Sequence, residues 1–148
     1  MWLGRARAGR TVIVSLGPRG QVRWEKPVPL DARTLRLVPF DGGVIACDAR
    51  GAATRLLPDG SPDWVLGSSG DELIAPLSPL LRRKTLVLPG PLTRLVDPRS
   101  GRVLAELPTG ARVLDLAADA RLNLYVLREP GTLETFAAAS TLSVVSRE

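Results

Sequence analysis

Pro58-Asp59-Gly60-Ser61-Pro62-Asp63-Trp64 is a tight turn with a tryptophan on its far side. Asp before Gly supplies the backbone bend, because glycine takes positive φ without steric cost. Forty residues upstream, Gly17-Pro18-Arg19-Gly20-Gln21-Val22-Arg23-Trp24 repeats the pattern, with Gly20 and Trp24 in the frame of Gly60 and Trp64. Further out, glycine-centred turns fall at Gly20, Gly60 and Gly101, with a degenerate fourth at Ser140-Thr141, at spacings of 40, 41 and 40. A fixed period of this size marks a repeat architecture.

The segments between the turns read as strands. After each turn the position four on is Trp24, Trp64, Ala105 and Val145, apolar every time. Before each turn stand Val12–Leu16, Thr54–Leu57, Leu92–Val96 and Leu133–Phe136. One step back are Gly43–Cys47, Thr85–Leu88 and Leu122–Leu127, and at the head of each unit Leu35–Pro39, Leu73–Leu77 and Val113–Ala117. These β-branched and leucine runs are bounded by turn residues. Thirteen prolines and fourteen glycines make helix costly along most of the chain. Gly110–Leu124 is the best helical competitor, but the forty-residue frame puts two strands and a turn at Asp119-Ala120 there. Ser78–Lys84 reads as a loop between the first two strands of the third unit.

Four short strands per forty residues is the signature of a β-propeller blade. The expected fold is all-β, a β-propeller of about three and three-quarter four-stranded blades. It is expected as one partial domain over 1–148, with a blade remnant at 1–30 and blades at 31–70, 71–110 and 111–148. The remnant supplies the last three strands of a unit, the earliest a poor one around Leu3–Ala8. So short a set implies an open arc or a fragment of a larger propeller. Its ends would expose Val12, Val14 and Trp24 on one side and Leu133, Phe136 and Val144 on the other.

Composition bounds the chemistry. The 148 residues are 45% apolar, 24% charged and 4% aromatic, enough for a core of Leu, Val and Ala. Cys47 is alone and histidine is absent. That excludes an intramolecular disulfide and a cysteine-based metal site, and removes the commonest general base. The net charge of +5 is almost all arginine, scattered as on a solvated surface. No apolar run approaches the ~20 residues of a membrane helix. Thr11–Leu16, the only apolar stretch behind the basic N-terminus, is shorter than the roughly 7–15 residues of a signal-peptide core. As written the chain reads as cytoplasmic, and its opening in mid-repeat leaves room for a leader upstream.

The pattern strand–Asp-x-x-x-Gly-x-x-x-Trp resembles the repeat of the PQQ-like (quinoprotein-type) β-propellers, whose tryptophan packs between blades. The copies ending in Trp24 and Trp64 match it best. The third, Asp97–Ala105, keeps Asp97 and Gly101 but has Ala105 in place of the tryptophan, and the fourth keeps only the frame. The strand grammar is shared with WD-repeat and kelch propellers. The resemblance implies inter-blade packing for Trp24 and Trp64 and turn roles for Gly20, Gly60 and Gly101. The family closes its ring with seven or eight blades. Its redox enzymes use an adjacent cysteine pair and a Glu/Asn/Asp calcium set, and neither can be placed here. The resemblance therefore implies the non-enzymatic branch, scaffolds in envelope assembly or sensor domains of signalling proteins.

Other candidate sites reduce to ordinary chemistry. Asp59, Ser61 and Asp63 alternate like the start of a calcium loop, with Asp71 and Glu72 nearby. No downstream bidentate glutamate follows, so turn capping is the expected role and no metal is expected. Arg82-Arg83-Lys84 is the one cationic run, too narrow for a nucleic-acid stripe; a charged loop tip is expected, and nucleic-acid contact through it is the weakest alternative. Cys47 reads as a small core residue. Gly67-Ser68-Ser69-Gly70 lacks the strand-to-helix elbow of a catalytic serine. Trp2 has no partner in the frame and is expected exposed or disordered. No catalytic residue and no cofactor is expected. The functional expectation is a non-catalytic module for protein–protein contacts, its partner another protein, the remaining blades of a larger propeller, or a second copy of itself. The alternative is a fragment of a propeller enzyme whose site is completed outside this chain.

Overall fold

The computed structural model describes residues 1–71, 77–110 and 112–137. Hairpin chemistry sets its first elements. Ala8 and Gly9 take φ of 49° and 73°, and Asp41 and Gly42 take 49° and 75°. Paired positive φ values define the two-residue turn whose twist matches antiparallel strands. They join β1 (Trp2–Arg7) to β2 (Arg10–Leu16) and β4 (Arg36–Phe40) to β5 (Gly43–Cys47). With β3 (Val22–Val28), β6 (Ala53–Leu56) and β7 (Pro62–Leu66), these strands form two antiparallel sheets ordered β1-β2-β3 and β4-β5-β6-β7. They belong to one compact unit, residues 1–48 with 52–67. Its core gathers Ile13, Val28, Val44, Ala46 and Leu56, with Trp2, Trp24, Leu35 and Leu37 packed against it.

The second unit comprises residues 49–51 with 68 onward. It holds β8 (Leu80–Arg82), β9 (Thr85–Leu88), β10 (Thr93–Val96) and β11 (Val103–Leu107), ordered β11-β10-β9-β8. A further sheet runs β12 (Val113–Ala118), β13 (Leu124–Arg128) and β14 (Thr132–Phe136). Val87, Leu95, Ala105, Val113, Leu124 and Val126 make its core. The chain is all-β: fourteen strands in four antiparallel sheets, with no helix among the described residues. Gly110–Leu124 carries β12 and the turn after it, in which Leu122 N–H donates to the Asp119 carbonyl.

Some sequence expectations change. Ser78–Lys84 is a strand and a turn, not a loop. Leu80 and Leu81 pair with Val87 and Leu86, and Arg82 opposite Thr85 leaves Arg83-Lys84 as a two-residue turn, with Arg83 at φ 51°. The basic run is therefore a hairpin tip, while Leu80 packs on the second core. The expected strand Leu73–Leu77 falls mostly outside the described residues, and Leu77 is not in a strand. The expected turn Ser140-Thr141 and the strand after it also lie outside them. Trp2 is half-buried, because Trp2, Gly4 and Ala6 share the face of β1 turned to the core, where Leu35 lies over Gly4.

Candidate functional site

Trp24 and Trp64 hold the same register in their sheets. Trp24 lies opposite Ser15 and Trp64 opposite Arg55, and each pairing is followed by a bulge at the next step. The Trp24 indole N–H donates to the Pro58 carbonyl at 2.8 Å. Its ring lies so close to Gly60 that a Cβ there would come within 2.7 Å of Trp24 Cδ2. Thus the tryptophan of the first sheet caps the turn of the second. Trp64 is half-buried, and its carbonyl accepts from the Thr54 hydroxyl at 3.2 Å. Gly20, Gly60 and Gly101 all take positive φ, 78°, 82° and 71°. Gly60 and Gly101 are buried and Gly20 is exposed.

The remaining candidates are spent on structure. Asp59 accepts from the Ser61 hydroxyl and N–H, which holds its carboxyl below the usual range. Asp63 instead pairs at 2.8 Å with Arg55. Arg55 is a buried guanidinium that no sequence signal singled out; it also faces Asp41 at 3.5 Å and lies over the Phe40 ring, 5.0 Å from its centroid. Among the described residues no group of acidic, cysteine or histidine side chains is arranged to hold a metal. Cys47 is buried, and loss of hydration pushes its thiol up to about 12, which makes it inert. The Ser69 N–H and hydroxyl both donate to the Arg50 carbonyl, at 2.8 and 3.2 Å. The hydroxyls of Thr93 and Thr109 pair at 2.9 Å, and Thr109 donates to the Gly90 carbonyl at 2.8 Å. Arg82 directs its Nε–H to the Ala118 carbonyl at 3.4 Å.

What the structure leaves open lies on β1. This strand pairs with β2 as β5 pairs with β6 and β9 with β10. In those sheets a further strand, β4 or β8, covers the other edge. Strand β5 is buried throughout and Leu86, Val87 and Leu88 are fully buried, whereas every residue of β1 after Trp2 is exposed. Leu3 alone is 48% exposed. Among the described residues β2 is the one strand hydrogen-bonded to β1 in its sheet.

The outward face of the same sheet is charged. Leu3, Arg5 and Arg7 lie opposite Val14, Val12 and Arg10, and Glu25 and Pro27 lie opposite Val14 and Val12 from the other side. Arg5 and Arg7 grip Glu25 at 2.8 and 3.0 Å, across β2. The hydrogen bond from Arg7, with help from Arg5, holds the Glu25 carboxyl below the usual range. Val12 and Val14, expected at an exposed end, are buried at 6% and 4% exposure, since these long side chains carry their aliphatic stems across them. Trp24 is half-buried on the opposite face, and Phe136 is half-buried against the second core, while Leu133 is 65% exposed. Val144 lies outside the described residues.

No family model and no curated protein sequence matches the chain. Solved structures do. BamB from Moraxella catarrhalis aligns over 95% of this chain and 43% of its own, with a TM-score of 0.66 and 17% identity. Streptogramin B lyase aligns over 95% and 52%, with a TM-score of 0.58 and 12% identity. BBS1N, solved in complex with ARL6DN, aligns over 91% and 46%, with a TM-score of 0.54 and 12% identity. The chain therefore has a β-propeller fold, and it spans less than half the length of BamB.

Proposed function

We propose that this chain is a β-propeller module that binds a protein partner and carries no chemistry of its own. The observation that carries the reading is the exposure of β1 from Leu3 to Arg7, where β5 is buried throughout and β9 is buried from Leu86 to Leu88. Exposed strand edges are templates for another chain. The polar side chains that are buried serve internal contacts, as Arg55, Thr93 and Thr109 show. That a β-propeller neighbour, BBS1N, was solved in complex with ARL6DN agrees with a binding role.

The test is photo-crosslinking from a benzoylphenylalanine placed at Leu3, with Lys84 at the β8–β9 turn as the control position. A protein that crosslinks from Leu3, not from Lys84, and re-forms a complex from purified components is the expected result. Failure of every crosslinked protein to bind the purified chain would overturn the reading. A second reading is motivated by the 43% share of BamB: the cover of β1 is further strands of a larger propeller. A native protein of far greater mass on an immunoblot would favour it.

A further inference from the structure

The first edge strand of each sheet reveals how this protein treats its open edges. Strand β4 carries Pro39, β8 has three residues, and β12 is broken by a register shift between Val113 and Asp115. Proline, shortness and bulges are the ordinary protections against strand addition. Strand β1 has none of them. It is six residues long, without proline, and pairs with β2 in unbroken register.

Its hydrogen-bonding pattern follows from the turn. Arg7 and Arg10 close a two-residue hairpin, and such a closing pair is hydrogen-bonded. Leu16 and Met1, at the other end, exchange N–H and C=O at 2.7 and 3.0 Å. Alternation then gives the inward bonds to Leu3, Arg5 and Arg7 and turns the N–H and C=O of Gly4 and Ala6 outward.

We infer that this edge receives an extended acidic peptide of a partner protein, added antiparallel to β1 as β4 is to β5. The inference rests on the protein-binding reading above and names its site and the chemistry of its ligand. Gly4 and Ala6 supply main-chain hydrogen bonds. Peptide side chains on one face meet Arg5 and Arg7, which are 52% and 68% exposed. Arg10 stands on the same face, and among the described residues Glu25 is the one acid paired with Arg5 and Arg7, so the face keeps excess positive charge. Side chains on the other face meet Trp2 and Leu35 beside Gly4. The fitting sequence alternates acidic with small apolar residues, since pockets on alternate sides read alternate residues of an added strand.

The experiment uses the whole chain and a labelled peptide of alternating glutamate and valine, with the lysine–valine peptide as comparison. Amide hydrogen exchange and fluorescence anisotropy are the readouts. The acidic peptide binds, slows exchange at Gly4 and Ala6, and loses about tenfold in affinity as salt rises from ~50 to ~500 mM. Ala6→Pro removes an outward N–H without touching the ladder to β2. It abolishes the protection and weakens binding by about tenfold or more, and an unchanged unfolding midpoint shows that it folds. Arg5→Gln with Arg7→Gln weakens the acidic peptide and not a neutral serine–valine control. Equal binding to the Ala6→Pro variant, or protection away from β1, would overturn the edge site while leaving the protein-binding reading intact. Self-association abolished by Ala6→Pro would overturn it in favour of a second copy.

Discussion

Gly60 combines two demands that a double-mutant cycle can separate. Its φ of 82° costs any L-residue about 1–2 kcal/mol. In addition, a Cβ at Gly60 would lie 2.7 Å from Trp24 Cδ2 and 2.9 Å from Cγ. The ring cannot yield freely, because its N–H is fixed on the Pro58 carbonyl at 2.8 Å. Overpacking of this kind costs about 1–3 kcal/mol more. Gly60→Ala is therefore expected to destabilise by roughly 2–5 kcal/mol in urea unfolding. Gly20→Ala is the control. Its φ is 78° and nothing lies within 4 Å of an added Cβ, so only the conformational part, about 1–2 kcal/mol, applies. Trp24→Ala removes a half-buried ring and should cost about 2–3 kcal/mol, below the range of fully buried tryptophans. With Trp24→Ala in place, Gly60→Ala should fall to the cost of Gly20→Ala, a coupling of about 1–3 kcal/mol. Additivity within about 0.3 kcal/mol would refute the reasoning, because it would mean that ring and turn do not touch.

Arg55→Met should cost about 1–2 kcal/mol by denaturant unfolding: it loses the Phe40 contact and the Asp63 pair, but both acids keep access to water. A loss above about 4 kcal/mol would mean that the acids are left stranded. Cys47 should not react with a thiol reagent at about pH 8 in the native state and should react on unfolding, because its thiol is pushed up to about 12. Rapid native labelling would contradict that burial. The carboxyls of Asp59, Asp97 and Asp119 are held below their ordinary 3.8, chiefly by Ser61, the Arg99 N–H and Asn123 respectively. Depressed carboxylates stabilise fully above the unfolded pKa, and that stability is lost as pH falls from about 4 towards the folded value. Asp119→Asn should flatten the acid limb of a stability–pH curve, and an unchanged limb would assign it elsewhere.

The fold was legible because the repeat writes its own punctuation. Glycine-centred turns recur at Gly20, Gly60 and Gly101, where only a few backbone conformations are allowed, and the apolar runs between them have no other way to bury both faces. Leu80–Arg82 was missed because its cationic neighbours look like a breaker, whereas charge at a hairpin tip is compatible with pairing just before it. Trp2 was missed because it stands outside the tryptophan frame, yet the period of two that puts Gly4 and Ala6 inward carries Trp2 with them. Arg55 was illegible for a different reason. It is one arginine among many, and its burial depends on Asp63 of β7, Phe40 at the end of β4 and Asp41 in the turn after it converging on it, which no spacing in the chain announces.

The candidate site shows the same division. Arg5 and Arg7 alone say only that a surface is basic, and charged edge strands usually repel partners. The pairing register changes their meaning. It places both arginines on one face with Glu25 between them, while the donors and acceptors of Gly4 and Ala6 point along the sheet, at right angles to that charge. Charge on the face therefore does not block the edge; it selects which strand is admitted. A lysine-rich strand would meet Arg5, Arg7 and Arg10 without compensation, and an acidic one would not. Electrostatics of this kind discriminates between partners more than it adds affinity. The main chain of β1 would supply the binding, and its arginines the choice.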